Sequence, residues 1–260
     1  MAKLFDQFTR YLTCYVLIHN YYAWRNAGGP LPTLSLLQPA VEASPRQTAG
    51  FIASLKAGRL VTVESADGDR RSKLLRPAPE MIREIGRSVQ AFVAAGEALD
   101  GEAIIGARLL DDPDALGDLL YRSAADVLAR GTLIHPFPRV LFFARRDCGY
   151  LLFCEVMRAH YAMTLGTQES MPSLSYRALA ERLQVSPAHI GNLLGEADRN
   201  GWFTIGARGR LVAMDPGLVA EFEVWAACQI AHFAGLSRQT AAFLEQGAGG
   251  AAPLMTGPAS

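Results

Sequence analysis

Between Ser44 and Arg76 the chain sets out, in order, a helix start, an apolar helical stretch, a β-branched run, a glycine turn and a second apolar run carrying four cations. Ser44 is a side chain that caps helices, Pro45 suits a first helical position, and Gln47 completes a capping box three residues on. The helix is predicted to run to about Ala57, with Gly58 as its stop. Leu60-Val61-Thr62-Val63 reads as a strand, Asp67-Gly68-Asp69 as a turn, and Ser72 to Leu75 as the returning strand. A helix followed directly by a two-stranded ribbon must bury the helix's apolar face against that ribbon and its neighbours. This restricts the segment to a small α+β module.

Charge is segregated along the chain. The 260 residues balance to zero net charge, which argues against a protein that coats nucleic acid through its overall charge. Locally the balance differs. Arg46, Lys56, Arg59, Arg70, Arg71, Lys73 and Arg76 face only Glu64, Asp67 and Asp69 between residues 44 and 76, a local excess of +4. From Glu97 to Asp118 seven acids oppose the single Arg108. One basic face and one acidic face are the pattern of a protein that meets phosphate on one side.

Around this module the spacing predicts long helices over residues 4–24, 80–98, 114–130, 140–163 and 216–235, with short helices at 33–43, 103–110 and 175–183. The module itself recurs. Ser186-Pro187 matches Ser44-Pro45 at an offset of 142 residues, and Leu179, Leu183, Leu193 and Phe203 fall on Leu37, Val41, Phe51 and Val61. Trp202 to Ile205 reads as a strand, Gly206 to Arg210 as a tight basic turn, and Leu211 to Met214 as the return. Shared apolar pattern and caps suggest an internal duplication.

A helix, a turn, a second capped helix and a basic hairpin make the order of a winged helix-turn-helix, in which the start of the second helix enters the major groove of duplex DNA. The segment from Asp67 to Pro79 resembles the wing of MarR-family regulators. Asp69 and Arg71 fall on that family's Asp-x-Arg positions, and Lys73-Leu74 falls on its returning strand. Ala78 departs from the usual Thr before the proline, and Pro39 sits in the first helix of the motif. The resemblance covers about residues 4 to 98. It implies that Asp69 orients Arg71 and that Arg71 enters the minor groove. The capped helix supplies Ser44, Arg46, Gln47 and Thr48 at its start, and Lys56, Arg59, Arg70, Lys73 and Arg76 are the expected phosphate contacts.

The second module, from Leu174 to Leu183 and on through Val185-Ser186-Pro187, resembles a generic bacterial helix-turn-helix. Its expected DNA-facing residues are Ser186, Ala188, His189 and Asn192, with Arg208 and Arg210 in the wing. Net charge over Ser186 to Arg210 is only +1. A weaker reader, or a structural winged helix that touches no DNA, both fit this module.

For Tyr11 and Tyr15, core packing is the first reading. An effector pocket is the second, because MarR-type proteins often bind small aromatic compounds. Cys14, Cys148, Cys154 and Cys228 show no C-x-x-C spacing and the five histidines no H-E-x-x-H, so no metal site is expected. No phosphate loop, G-x-S-x-G or dinucleotide fingerprint occurs, so neither an enzyme nor a cofactor is expected. The short apolar stretch from Tyr11 to Ile18 makes no convincing leader, and no run approaches a membrane span; a cytoplasmic, soluble protein is expected.

The predicted fold class is mostly α with small β wings: tandem winged helix-turn-helix units packed through long helices, a pseudo-dimer of MarR-like units. The boundaries are 1–98 for the first unit, 99–139 for a helical connector, 140–236 for the second unit and 237–260 for a disordered tail. The expected function is a sequence-specific, double-stranded DNA-binding transcription regulator. A homodimer and a small-molecule effector are further expected partners, and no membrane is. The alternative is a winged-helix module that binds another regulator instead of DNA.

Overall fold

A computed structural model describes residues 4–66, 69–101, 111–167 and 172–249, without the side chains of 66, 69–71 and 243–249. The protein is mostly helical, with two small antiparallel sheets of two strands each. The chain divides into two compact units, each assembled from separated segments. One comprises residues 1–14, 41–44 and 131–228; the other comprises 15–40, 45–130 and 229–260.

The 45–130 unit is built on α1 (Phe8–Ala27), of which it holds the part from Tyr15 onward, with α4 (Pro79–Asp100) and α5 (Pro113–Arg130). Met81, Ile82, Ile85, Val89 and Val93 recur three and four apart in α4 and are buried, as are Leu116, Leu119, Leu120 and Ala124 of α5. Gly86 lets the two helices meet, since a Cβ there would lie 2.4 Å from Leu116 Cδ2. Polar ties hold α5 on its other sides. Tyr22 donates to Asp114 Oδ1 at 3.0 Å, and Arg25 Nη1 bonds the same oxygen at 2.7 Å. Tyr15 donates to the Ser123 hydroxyl, and Ser123 Oγ lies 2.6 Å from His232 Nε2.

Two short elements precede the first hairpin. The helix expected over 33–43 is shorter: Thr33 caps α2 (Leu34–Leu37), and one 3-10 turn over Gln38–Ala40 replaces the rest. Pro39 has no N–H to continue the helix ladder, which accounts for the break. Then α3 (Pro45–Ala57) packs Thr48, Ile52 and Leu55 inward. It ends at Ala57 with Gly58 next, as expected, and the left-handed residue of the stop is Arg59, at φ 58°. Leu60 N donates to Leu55 O at 2.9 Å and Arg59 N to Lys56 O at 3.0 Å, the bond pair of a Schellman motif, with buried Leu55 and Leu60 as its apolar partners.

The hairpin that follows pairs β1 (Val61–Ala66) with β2 (Asp69–Pro77), Val63 opposite Leu75 and Ser65 opposite Lys73. The register slips between Ser65 and Ala66. Leu75 N also donates to Pro32 O at 2.8 Å, tying the ribbon to the chain before α2.

In the 131–228 unit the single helix expected over 140–163 is two. α6 (Pro138–Ala144) and α7 (Gly149–Thr164) meet at an elbow where Cys148 is left-handed at φ 48°. A Cβ at Gly149 would lie 2.3 Å from Phe143 O, so only glycine fits the turn. Ser175 caps α8 (Tyr176–Leu183), Gln184 turns left-handed, and Ser186 caps α9 (Pro187–Arg199) through the His189 N–H at 3.1 Å. β3 (Phe203–Ile205) pairs with β4 (Leu211–Met214), and Asp215 caps the following helix through Leu218 N at 2.9 Å. Phe143, Phe153, Leu179, Ile190 and Phe203 form the core.

That last helix, α10, spans Pro216–Gly249 rather than stopping at 235, so residues 237–249, read as tail, are helical. The helix expected at 103–110 and the Asp67-Gly68 turn lie outside the described residues, as does the tail from 250 onward.

Candidate nucleic-acid interface

Helix α3 leaves Pro45, Arg46, Gln47, Gly50, Ala53 and Ser54 exposed, and Ser44 just before it is exposed too. Arg46 and Gln47 are thus exposed at the first turn, where the amide dipoles favour an approaching phosphate. Thr48 is not. It is 1% exposed and faces the core, so it cannot reach a base edge. The correction follows from helix geometry: residue 48 shares a face with buried Ile52 and Leu55, at the i+4 and i+7 positions. Gly50, Ala53 and Ser54 belong to the exposed face instead. Ser54 is a polar residue at that same spacing, two turns beyond the capping box.

The cations of the first hairpin differ in their freedom. Lys56 and Arg59 are exposed at the end of α3. Lys73 Nζ donates to Ser65 Oγ at 2.8 Å across the ribbon. Arg76 Nη2 stands 3.4 Å from Glu64 Oε2, and Arg76 Cζ lies 6.0 Å from the Tyr21 ring centroid. Both groups of the Arg76–Glu64 pair are about half exposed, so water screens the attraction and a phosphate can compete for the arginine. Backbone positions of Asp69, Arg70 and Arg71 open β2, while their side chains lie outside the described set.

In the second module Ser186, Ala188 and Asn192 are exposed, as are Arg208 and Arg210 in the hairpin turn. The turn is held by Gly209 at φ 67°, where a Cβ would lie 2.3 Å from Ser173 Oγ. His189 is only half available, because its Nε2 lies 2.9 Å from the Asp147 carbonyl. Nearby cations are matched with acids: Arg177 with Glu181 at 3.2 Å, Arg182 with Glu155 at 3.1 Å, and Arg146 with Glu196 at 2.8 Å. Tyr176 and Val212 are 48% and 65% exposed. Neither was singled out from the sequence, since an aromatic at a helix start and a valine in a strand both read as core.

Tyr15 is buried in its bond to Ser123, and Tyr11 is half-buried. Burial pushes the Cys14 thiol up, and the Cys154 thiol to about 11, so neither is a thiolate near neutral pH. Among the described residues no group of three or more His, Cys, Asp and Glu side chains could hold a metal ion, and no helix is long and apolar enough to cross a membrane. Comparison of the chain with protein-family models, with curated proteins and with solved structures returns no match.

Proposed function

We propose that the protein is a sequence-specific, double-stranded DNA-binding transcription regulator, non-catalytic, with two winged helix-turn-helix modules in one chain. One observation carries this reading: exposed Arg46 and Gln47 at the start of a helix whose end and following ribbon present exposed Lys56, Arg59, Lys73 and Arg76. Base edges would be read by Arg46 and Gln47, and the other four cations would meet phosphates. By its resemblance to the MarR wing, Arg71 would enter the minor groove. Affinity would come largely from phosphate contacts and fall as salt rises.

The second module fits a weaker or different role. Three of its cations, Arg146, Arg177 and Arg182, are matched by acids, and Tyr176 and Val212 are exposed. These features favour a protein-facing surface there, or a DNA contact of lower affinity.

The test is selection of bound fragments from random or genomic DNA by the full chain, with Arg71→Ala and Gln47→Ala beside the wild type. An enriched motif that Arg71→Ala weakens broadly, by roughly 1–3 kcal/mol, supports the reading. No enrichment, with all three proteins alike, would overturn it and leave the protein-interaction alternative.

A further inference from the structure

The residues of the second module that match the exposed face of α3 hold little that could read a base. At the offset of 142 residues, Arg46, Gln47, Gly50 and Ser54 fall on Ala188, His189, Asn192 and Glu196. Ala188 has no polar side-chain atom. His189 spends its Nε2–H on the Asp147 carbonyl, at 2.9 Å. Glu196 is an acid held by Arg146 at 2.8 Å, and a carboxylate is repelled by the phosphates that border a groove. Of the four, Asn192 alone is left as an exposed donor and acceptor.

The uncommitted donors of this module lie beside that face. Leu174 N donates to Gly209 O at 2.8 Å, and left-handed Gly209 sits so close to Ser173 and Ser175 that a Cβ would collide with both. Arg182 Nη1 pins the same stretch by donating to Ser173 O at 2.9 Å. The turn that carries Arg208 and Arg210 is thereby docked on the start of α8, whose first residue is Tyr176. The Tyr176 ring lies in turn against α9, where a Cβ on Gly191 would be 3.3 Å from its Cε2. Hairpin turn, α8 and α9 meet around one exposed tyrosine. Tyr176, Arg208 and Arg210 are all exposed, and among the described residues none of the three has a hydrogen-bond or ion-pair partner.

We propose that this surface grips the phosphodiester backbone of duplex DNA without regard to sequence. The Tyr176 hydroxyl donates to one phosphate, and Arg208 and Arg210 neutralise others. The second module anchors, and the first module reads. Charge complementarity selects the partner: two guanidinium forks and a phenol offer hydrogen-bond donors to anionic oxygens, and none of the three side chains is engaged by an acid. Contacts of this kind add affinity and fix orientation but carry no sequence information. The inference rests on the DNA binding proposed above.

The experiment measures binding of the full chain, across a salt series, to a duplex carrying the selected motif and to a random duplex of the same length. Wild type is compared with Tyr176→Phe, Arg208→Ala and Arg210→Ala. All three side chains are exposed, so unfolding midpoints should match the wild type and certify the fold. Tyr176→Phe should weaken both duplexes about fivefold. Each arginine variant should weaken both and lower the slope of log affinity against log salt by about 1. The motif selected by all three should be that of the wild type. Variants that bind both duplexes like the wild type, while Gln47→Ala still alters the motif, overturn the anchor and leave the first module's reading intact; a protein partner is then the occupant of this surface. Weakening at the motif duplex alone would make the surface a base reader and overturn the anchor too. Binding that the variants weaken, with no motif selected, would sink the sequence-specific reading and keep the anchor. A wild type that binds neither duplex at low salt overturns both.

Discussion

The Tyr22 ring occupies the space that a side chain at position 117 would need: a Cβ on Gly117 would lie 2.1 Å from Tyr22 Cζ. Tyr22 is buried and its hydroxyl is tied to Asp114, so the ring has little room to yield. Gly117→Ala should destabilise the protein by about 1–3 kcal/mol, in spite of alanine's better helix propensity. Denaturant unfolding would show it as a lower midpoint at unchanged slope. A shift within about 0.5 kcal/mol would mean that Tyr22 relaxes freely.

Arg59 sits where a glycine costs least. Left-handed backbone costs a non-glycine residue about 1–2 kcal/mol. Arg59→Gly should therefore raise stability by up to about 1 kcal/mol while weakening DNA retention and lowering its salt dependence. The pair of measurements is thermal unfolding and elution of DNA complexes against salt. Greater stability with unaltered salt dependence would remove Arg59 from the phosphate contacts.

Gln47 and Thr48 should separate cleanly although they are adjacent. Gln47→Ala is expected to leave stability within about 0.5 kcal/mol and to alter the selected DNA sequence. Thr48→Ala is expected to cost about 1–2 kcal/mol of stability and leave the selected sequence alone. Finding the reverse pattern by selection and unfolding would place the base-reading face of α3 elsewhere.

His232 gives the fold a pH dependence of its own. Burial lowers its affinity for a proton, and Ser123 lies 2.6 Å from its Nε2. The unfolded chain thus binds more protons than the folded one below the ordinary histidine range. Stability is full above pH 6.5 and declines as pH falls below it. His232→Gln should flatten the loss of melting temperature between pH 7.5 and 5. An equal loss in wild type and variant would show that His232 titrates alike in both states.

Much of the local fold was legible because it depends on chemistry within a few residues. Ser186-Pro187 announced a helix start through its cap, and the two runs either side of Asp67-Gly68-Asp69 announced a hairpin. What failed depended on neighbours distant in sequence. The elbow at Cys148 is an exception: Arg145-Arg146-Asp147 and Gly149 interrupt the apolar pattern there, and the close approach of Gly149 to Phe143 breaks the helix within six residues. The burial of Thr48 could have been inferred from its spacing to Ile52 and Leu55, but polarity outweighed periodicity in that reading. The acid partners of Arg146 and Arg182, 50 and 27 residues away, carry no sequence signal at all.

The interleaving of segments has a consequence for synthesis. A ribosome releases residues in order, and the unit that begins at Tyr15 lacks its final segment until residue 229 has emerged. His232, which meets Ser123 at a separation of 109 residues, is part of that late arrival. The intervening 131–228 stretch is complete in sequence first. The nascent chain therefore carries α4 and α5 for the time needed to make about a hundred more residues, with their final partner still inside the ribosome. During that interval the unsatisfied surface of those helices is what a chaperone would meet.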